Sequence, residues 1–264
     1  MGQVELQDSL ISLHENARLA PPFTAAQPAL TPAAAYEAAR ALHRHRIAAG
    51  WKPVGRKIGF TNRTIWPRYG VYEPIWGTVY DRTLEPSPRS FSLRGLAQPR
   101  IEPEICFGLK KAPPVTRDPA QLLECIEWVA HSIEIVQCHH PDWKMQLADC
   151  CADNGLHGRL YVGPRVPVSE IPGLAGLLPK VKATLKKGGE VVDQGIGANV
   201  LDSPLLALAY FIEVLSKQPG AEPLRPGELV TTGTITDAHP VAPGETWSTV
   251  IEGLPLPGNT VTFT

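Results

Sequence analysis

Hydrophobic positions recur along the chain with two different spacings, and each spacing predicts its own kind of element. Residues 33–48 are rich in alanine and leucine; they follow Thr31 and Pro32 and stop before Gly50, which predicts a capped helix. From residue 54 the apolar positions alternate and are punctuated by glycine, a pattern typical of strands. We therefore expect a helical N-terminal segment, residues 1–50, and a β-rich body, residues 51–264.

The body contains further strand and helix signals in a mixed order. Lys187, Gly188 and Gly189 between two alternating segments predict a hairpin. Helices are predicted after Asp118, with Leu122, Ile126 and Val129 at helical spacing, across residues 142–151, and after Ser203 to residue 215. Strands are predicted at residues 54–61, 77–81, 100–109, 132–136, 181–186, 190–194, 228–235, 246–251 and 260–264.

Neither an internal repeat nor a composition break divides the body. The fold class expected from the pattern is therefore one mixed α/β domain dominated by β structure. The 27 prolines are spread through apolar sequence, which agrees with many turns and short strands.

Charge and composition exclude several classes of function. Lysine and arginine number 25 against 26 aspartate and glutamate, and no basic run exceeds two residues, so a nucleic-acid partner is not expected. The first twelve residues lack the features of a secretory signal, and the apolar stretch at residues 205–212 is too short for a membrane span. Five cysteines without a scaffold spacing suit reduced thiols. We expect a cytoplasmic protein.

Two glutamates and a third, more distant one form the strongest chemical signal. Glu102 and Glu104 are two residues apart in a predicted strand, so their side chains share one face. Glu134 is the single charge in an otherwise apolar strand. One interpretation is a half-exposed strand for the pair and a salt bridge for Glu134. The other is a divalent cation, Mg²⁺ or Mn²⁺, bound by all three carboxylates.

Lys57 and Asp81 are the next candidates. Glycines flank the strand around Lys57, so a ligand could approach the backbone there, and a lysine in a site can hold a carboxylate or act as an acid or base. The second interpretation of Lys57 is a side chain that reaches out to solvent. Asp81 follows a strand, where a turn-forming aspartate is equally compatible with the sequence.

Adjacent histidines and cysteines do not indicate a zinc site. His139 with His140, and Cys150 with Cys151, lack the spacing of zinc ligands, and the two cysteines are expected to pack in a helix. His157 follows a polar turn and, taken alone, would be interpreted as a surface histidine.

Six short segments, taken in order, resemble the 2-keto-4-pentenoate hydratase and 4-oxalocrotonate decarboxylase branch of the fumarylacetoacetate hydrolase superfamily. The resemblance extends from about residue 17 to residue 264. The segments are GRKIGFT (55–61), IEPEI (101–105), IEIV (133–136), ADN (152–154), GAN (197–199) and TGTI (232–235).

The resemblance implies a β-sandwich roll with peripheral helices, a homo-oligomer and Mg²⁺ or Mn²⁺ on Glu102, Glu104 and Glu134. It also implies that Lys57 and Asp81 lie at the catalytic centre and that Thr234 touches the carboxylate end of the substrate. Two positions depart from the family pattern. His157 stands where serine or asparagine is usual, and residues 137–139 (QCH) stand where Asp-Ser-Arg is common.

The expected activity is hydration of a 2-hydroxy-2,4-dienoate to a 4-hydroxy-2-oxo acid in the catabolism of aromatic compounds. Lys57 would hold the substrate and its enolate, while Asp81 and His157 would transfer protons and position water. Decarboxylation of a 2-oxo-3-enedioate is the alternative. Less favoured are an acylpyruvate hydrolase, for which adjacent His14 and Glu15 make a poor dyad, and a non-catalytic subunit associated with a pathway decarboxylase or hydratase.

Overall fold

A computed structural model describes residues 2–69, 72–86 and 91–264 and contains two β-sheets flanked by helices. The helices are α1 (Gln3–Asn16), α2 (Phe23–Ala26), α3 (Pro32–Ala48), α4 (Trp66–Tyr69), α5 (Pro119–Leu123), α6 (Leu147–Ala152), α7 (Leu174–Leu177) and α8 (Pro204–Lys217). The strands are β1 (Pro53–Gly59), β2 (Ile75–Tyr80), β3 (Arg100–Leu109), β4 (Ile126–Val136), β5 (His157–Val162), β6 (Val166–Pro167), β7 (Lys182–Lys187), β8 (Glu190–Ile196), β9 (Leu229–Thr234), β10 (His239–Pro240), β11 (Thr246–Glu252) and β12 (Thr260–Thr262).

The larger sheet has the strand order β2-β1-β9-β3-β4-β5, with β10 paired to β3 and β6 paired to β4. Its pairs are antiparallel except for β1 with β9, which are parallel. The smaller sheet has the order β12-β11-β7-β8 and is antiparallel throughout.

The larger sheet curls until its two end strands approach each other. Leu84, just after β2, forms a bridge with Leu160 of β5, and Val79 and Cys106 lie in a small apolar cluster with Leu160. The sheet therefore has an interior, enclosed by its own curvature, and an outer apolar face.

The outer face of the larger sheet packs against the smaller sheet and the helices. Ile101, Ile133 and Ile135 contact Leu185 and Trp247 of the smaller sheet. Further along the same strands, a second cluster joins the sheet to α8. A third cluster unites the N-terminal helices with α6 and the start of β2, so the N-terminal segment packs directly on the body.

These elements confirm the predicted mixed α/β, sheet-dominated fold, and most predicted strands and the long N-terminal helix are present. Thr31 caps α3 by accepting a hydrogen bond from Ala34 N at 3.3 Å. The hairpin at residues 187–190 joins β7 to β8. Cys150 and Cys151 are buried in α6, as expected.

Two predicted helices are wrong in extent. The helix after Asp118 ends at Leu123, and Ile126 and Val129 belong to β4. That strand is buried on both faces from residue 129 onward, so its apolar residues do not alternate with polar ones. Without that alternation, the i, i+4 and i+7 spacing of Leu122, Ile126 and Val129 predicts a helix. The helix predicted for residues 142–151 is confined to α6, because a 3₁₀ turn at Pro141–Trp143 contains Asp142 at a φ of 57°.

Helix α8 is long and strongly apolar. Among the described residues, the helical stretch Gly197–Lys217 is long and apolar enough to cross a membrane by length and composition, yet 61% of its most apolar window is buried inside the protein. Phe211, which is fully buried, contacts the core cluster of the larger sheet. Burial against the sheet accounts for the composition of this helix.

Replacing Phe211 by alanine should leave a cavity between α8 and the sheet. We expect the free energy of unfolding to fall by about 3–5 kcal/mol, measured by urea denaturation. Ser216→Ala, at an exposed position of the same helix, should change it by less than about 0.5 kcal/mol. Equal effects of the two substitutions would show that α8 does not pack as described.

Candidate functional site

The register of the larger sheet brings the three predicted glutamates together. Glu102 on β3 lies directly opposite Glu134 on β4, and Glu104 shares the face of Glu102. The adjacent isoleucines point to the outer face, so the glutamates point into the curled interior. One oxygen from each carboxylate lies within 4.8 Å of an oxygen from each of the others.

Burial and the neighbouring charges perturb all three carboxyl groups. Burial raises the pKa of Glu102 to about 7 and that of Glu104 well above its usual range, and the neighbouring glutamates add to both shifts. Burial would also raise the pKa of Glu134, but the Lys57 ammonium and a hydrogen bond from His157 outweigh it and hold that pKa low. Without a cation beyond Lys57 the cluster therefore favours protonation.

The residues present fit a divalent cation. Oε1 of Glu104 and Oε2 of Glu134 are buried, and neither has a hydrogen-bond partner among the described residues. Three converging carboxylate oxygens are the hard donors that Mg²⁺ and Mn²⁺ prefer. The interpretation as a half-exposed strand is wrong for Glu104, which is fully buried.

Lys57 is the cation that faces this cluster. Its side chain extends from β1 and is 2% exposed, and its Nζ lies 3.6 Å from Oε2 of Glu134. The same Nζ donates a hydrogen bond to the carbonyl oxygen of Gly155 at 2.9 Å. Burial would lower the pKa of Lys57, but the three glutamates raise it above its usual value. Lys57 is therefore a buried ammonium and does not reach out to solvent.

His157 lies behind Glu134 on β5. Nδ1 of His157 is 2.8 Å from Oε1 of Glu134, and Nε2 is 2.9 Å from Oγ1 of Thr83. The ring is 1% exposed, so the interpretation as a surface histidine is wrong. Burial lowers its pKa, against the pull of Glu134. Because both ring nitrogens are engaged, His157 orients a carboxylate, and it does not line the pocket described next.

A pocket of about 340 Å³ reaches one of the three glutamates, Glu102. Lys57, Glu102 and Thr234 line it, and Oγ1 of Thr234 has no hydrogen-bond partner among the described residues. Arg100, on the same face of β3 as Glu102, also lines the pocket and stacks on Trp143 at 4.2 Å from the ring centroid. Asp237 adds an exposed carboxylate. The pocket thus has a lysine at one end and an arginine within its wall.

Asp81 does not belong to this site. It is exposed after β2, and its Oδ1 accepts hydrogen bonds from the backbone N–H groups of Lys52 and Arg82, both at 2.9 Å. Lys57 pairs with Gly77, whereas the strand end beside Asp81 pairs with Pro53, four residues away on β1. The expected role of Asp81 at the catalytic centre is therefore wrong, and its side chain forms a turn.

A second buried polar cluster joins the N-terminal segment to the body. Nε2 of His14 lies 2.8 Å from Oδ1 of Asp153, and Nδ1 of His139 lies 2.9 Å from the same oxygen. Arg46 of α3 donates to Nδ1 of His14 at 3.0 Å. That nitrogen is thus the acceptor, and the ring proton is on Nε2, facing Asp153.

The three ligand-type atoms of this second cluster also lie within 4.8 Å of one another, and Nε2 of His14 approaches Asp153 at 2.8 Å without a hydrogen-bond partner among the described residues. A metal on Nε2 of His14 would leave Nδ1 protonated and facing the guanidinium of Arg46. Contacts with His139 and His14 outweigh burial and hold the pKa of Asp153 well below its usual range. His139 thus lies in a group of ligand-type side chains with His14 and Asp153, while Nδ1 of His140 lies 3.1 Å from the carbonyl oxygen of Ala20.

Several of these groups give no signal in the sequence. The carbonyl of Gly155 is a backbone atom, and Thr83, Arg100 and Asp237 lie in segments without a motif. The sequence relates His14 only to its neighbour Glu15, whereas in the structure Glu15 contacts His45 at 2.9 Å. Only the three-dimensional arrangement reveals these contacts.

Comparisons with known proteins agree with the fold. Residues 85–262 match the family described as fumarylacetoacetate (FAA) hydrolase, C-terminal. The chain belongs to this family and is an enzyme of it, as the resemblance of its motifs predicted. One relative, the 2-hydroxyhexa-2,4-dienoate hydratase of Comamonas testosteroni, is 32% identical over 90% of this chain and 89% of its own.

Relatives with a different named activity are about equally similar. The 4-oxalocrotonate decarboxylase of Pseudomonas sp. strain CF600 is 31% identical over 96% of this chain and 97% of its own. The structure of the 4-oxalocrotonate decarboxylase from Pseudomonas putida G7, complexed with magnesium and adipate, has a TM-score of 0.90 at 28% identity and covers 99% of this chain and 97% of its own. Family membership therefore leaves two activities to distinguish.

The His14 network should make stability depend on pH. Burial lowers the pKa of His14 to about 4, and the contacts facing it come from Arg46, His139 and Asp153. Below pH 6.5 the unfolded chain binds a proton at His14 that the folded chain does not, so stability falls as the pH drops from 6.5 to 4. At pH 5 the loss is about 2 kcal/mol.

His14→Gln should remove that loss, because glutamine keeps a donor toward Asp153 but does not titrate. The measurement is urea denaturation at pH 7.5 and pH 5, with His45→Gln on the exposed side of α3 as control. The pH dependence should persist in His45→Gln. An unchanged pH dependence in His14→Gln would contradict the network.

Proposed function

We propose that the protein is a divalent-metal-dependent hydratase that converts a 2-hydroxy-2,4-dienoate to a 4-hydroxy-2-oxo acid. The observation that carries the proposal is the convergence of Glu102, Glu104 and Glu134 beside Lys57, where Glu102 and Lys57 line a pocket of about 340 Å³. Hydratases are among the relatives that match most of the chain.

Glu102, Glu104 and Glu134 would hold Mg²⁺ or Mn²⁺. The orphaned buried oxygens support this assignment, as do structures of family members complexed with magnesium, calcium or manganese. Such an ion would supply Lewis acidity toward the 2-oxo acid end of a substrate. A bound cation would lower the raised pKa values of Glu102 and Glu104, so that both side chains would be ionised.

Lys57 would stabilise the negative charge that the substrate develops as a dienolate. Its ammonium lines the pocket and is fixed by the Gly155 carbonyl, so it needs no reorganisation as the charge forms. Thr234, with its unpartnered hydroxyl, would donate to the substrate carboxylate.

Proton transfer needs a group that reaches the pocket. Asp81 and His157 do not line it, so His157 would act by fixing the orientation of Glu134. Asp237 is the carboxylate that lines the pocket apart from the glutamate cluster, and we assign it the exchange of protons with the incoming water.

Decarboxylation of a 2-oxo-3-enedioate is the second candidate, and Arg100 favours it. A substrate with two carboxylates needs a second cationic contact beyond Lys57, and Arg100 supplies one within the same pocket. The decarboxylase from Pseudomonas putida G7 was solved with adipate, a six-carbon dicarboxylate. Loss of the distal carboxylate as CO₂ would leave the same dienolate that hydration requires.

An acylpyruvate hydrolase and a non-catalytic subunit have less support. A hydrolase dyad of His14 and Glu15 does not form, because His14 contacts Asp153 and Glu15 contacts His45. A non-catalytic subunit has no need of three buried carboxylates. A homo-oligomer, association with a pathway decarboxylase or hydratase, and a cytoplasmic location remain predictions.

Glu104→Gln should separate metal binding from folding. The substitution removes repulsion from the buried cluster, so the metal-free variant should melt at least as high as the parent. Mg²⁺ or Mn²⁺ should raise the Tm of the parent but not that of Glu104→Gln. Turnover, measured as the loss of dienol absorbance, should be at least about a thousandfold lower in Glu104→Gln than in the parent. Glu127→Gln, exposed on the same strand as Glu134, is the control. Undiminished turnover in chelator would end the metal proposal.

Arg100→Gln should distinguish the two activities. If the substrate is a dicarboxylate, kcat/KM for a six-carbon oxo-enedioate should fall about tenfold to a hundredfold, since a charge-assisted contact is lost. The value for a five-carbon dienoate should change less than about twofold. Arg94→Gln, at an exposed position, is the control. If the parent releases CO₂ from the oxo-enedioate, it is a decarboxylase. If it releases no CO₂ and converts the dienoate to product, it is a hydratase.

A further inference from the structure

The turn between α6 and β5 has an unusual backbone. Asn154, Gly155 and Leu156 are three consecutive residues in the left-handed region, with φ values of 50°, 62° and 65°. Only glycine adopts this region without strain, and asparagine tolerates it better than most residues. Such a run persists only where surrounding contacts impose it.

The Asn154 side chain supplies the main contact on one side. Its Oδ1 accepts a hydrogen bond from Thr78 N at 2.8 Å, and its Nδ2 donates to Thr78 O at 3.0 Å. Thr78 lies on β2, the end strand of the larger sheet. The amide thus satisfies both polar groups of one residue on a strand edge, as a neighbouring strand would.

The turn and β2 are in direct backbone contact. A Cβ added to Gly77 would lie 1.9 Å from the carbonyl oxygen of Asn154, and one added to Gly155 would lie 2.7 Å from the carbonyl carbon of Trp76. No side chain fits between the two segments. The position of the Gly155 carbonyl is therefore set by β2, through the double hydrogen bond of Asn154.

That carbonyl is the one that receives the Lys57 ammonium, at 2.9 Å. Lys57 is also paired with Gly77 across β1 and β2, so the lysine and the turn both contact β2. On the other side, Asp153 is held by His14 and His139. The turn therefore contacts β2 through Asn154 and α1 through Asp153, and the Gly155 carbonyl accepts the hydrogen bond from Lys57.

We propose that Asn154 is a positioning residue that acts through Lys57: its double hydrogen bond to Thr78 fixes the Gly155 carbonyl, which holds the ammonium at the glutamate cluster. The role of Lys57 toward a 2-oxo acid rests on the proposed function. Asn154 does not touch the substrate, because it does not line the pocket. Its effect on the site passes through the backbone of the turn.

A double-mutant cycle tests this coupling. Asn154→Gly, which tolerates the left-handed φ but lacks the amide, is combined with Lys57→Met, which keeps the length of the side chain without its charge. Two quantities are measured at saturating Mg²⁺: the Kd of pyruvate, the smallest 2-oxo acid, and kcat with the substrate that the protein turns over.

In the parent background, Asn154→Gly should weaken pyruvate binding about threefold and lower kcat about tenfold. In the Lys57→Met background it should change either quantity less than twofold, because the ammonium it positions is gone. Equal losses in both backgrounds would show a general structural role and overturn the proposal. So would parent-like values of Asn154→Gly in the parent background.

Two further variants keep the test interpretable. Asn154→Asp retains the acceptor for Thr78 N and should lose less than Asn154→Gly; a loss equal to that of Asn154→Gly would count against the double hydrogen bond. Asn259→Ala removes a comparable buried amide bond, from Nδ2 to His131 O at 3.2 Å, and should show no coupling to Lys57. Pyruvate binding needs no turnover, so coupling in Kd without activity on any substrate would refute the proposed reaction and leave the role of Asn154 standing.

Discussion

The burial of three carboxylates against one ammonium is the constraint that shapes the whole structure. Glu102, Glu104 and Glu134 would carry three negative charges inside the curled sheet, and Lys57 supplies one positive charge. Burying unbalanced charge costs several kcal/mol, and the raised pKa values of Glu102 and Glu104 express that cost. A divalent cation removes the imbalance. The residues present therefore fit a divalent cation, and the apolar outer face of the same strands packs against the smaller sheet and α8.

The surroundings of the cluster fix each charged group without entering the pocket. His157 and Thr83 hold Glu134 from β5 and the turn after β2, and the Gly155 carbonyl holds Lys57. Asp153, next to that carbonyl, connects the turn to the N-terminal segment through His14. The helices before β1 thus do more than cover the sheet, because α1 contacts the turn whose carbonyl holds Lys57. Pre-organised supports of this kind keep reacting groups in position before substrate binds.

The sequence was sufficient for the fold class, most strands and the proximity of Glu102, Glu104 and Glu134, since these follow from residue periodicity and from motifs that occur in order. It failed where local pattern and tertiary context disagree. Ile126 and Val129 have helical spacing but lie in a strand buried on both faces. Asp81 occurs in a position compatible with a site, yet its carboxylate caps a turn. The contacts of His14, Thr83 and the Gly155 carbonyl join residues far apart in the chain, which no local pattern records. The sequence also does not separate hydration from decarboxylation, because relatives with either named activity are about equally similar to the chain.

A crystal structure of the protein grown with Mn²⁺, with the ion located by its anomalous scattering, would show directly whether the buried carboxylates form a metal site. We expect one strong peak coordinated by Glu102, Glu104 and Glu134, with Lys57 still hydrogen-bonded to the Gly155 carbonyl. A peak at His14, His139 and Asp153 instead, or no peak at the three glutamates under saturating Mn²⁺, would contradict the metal assignment.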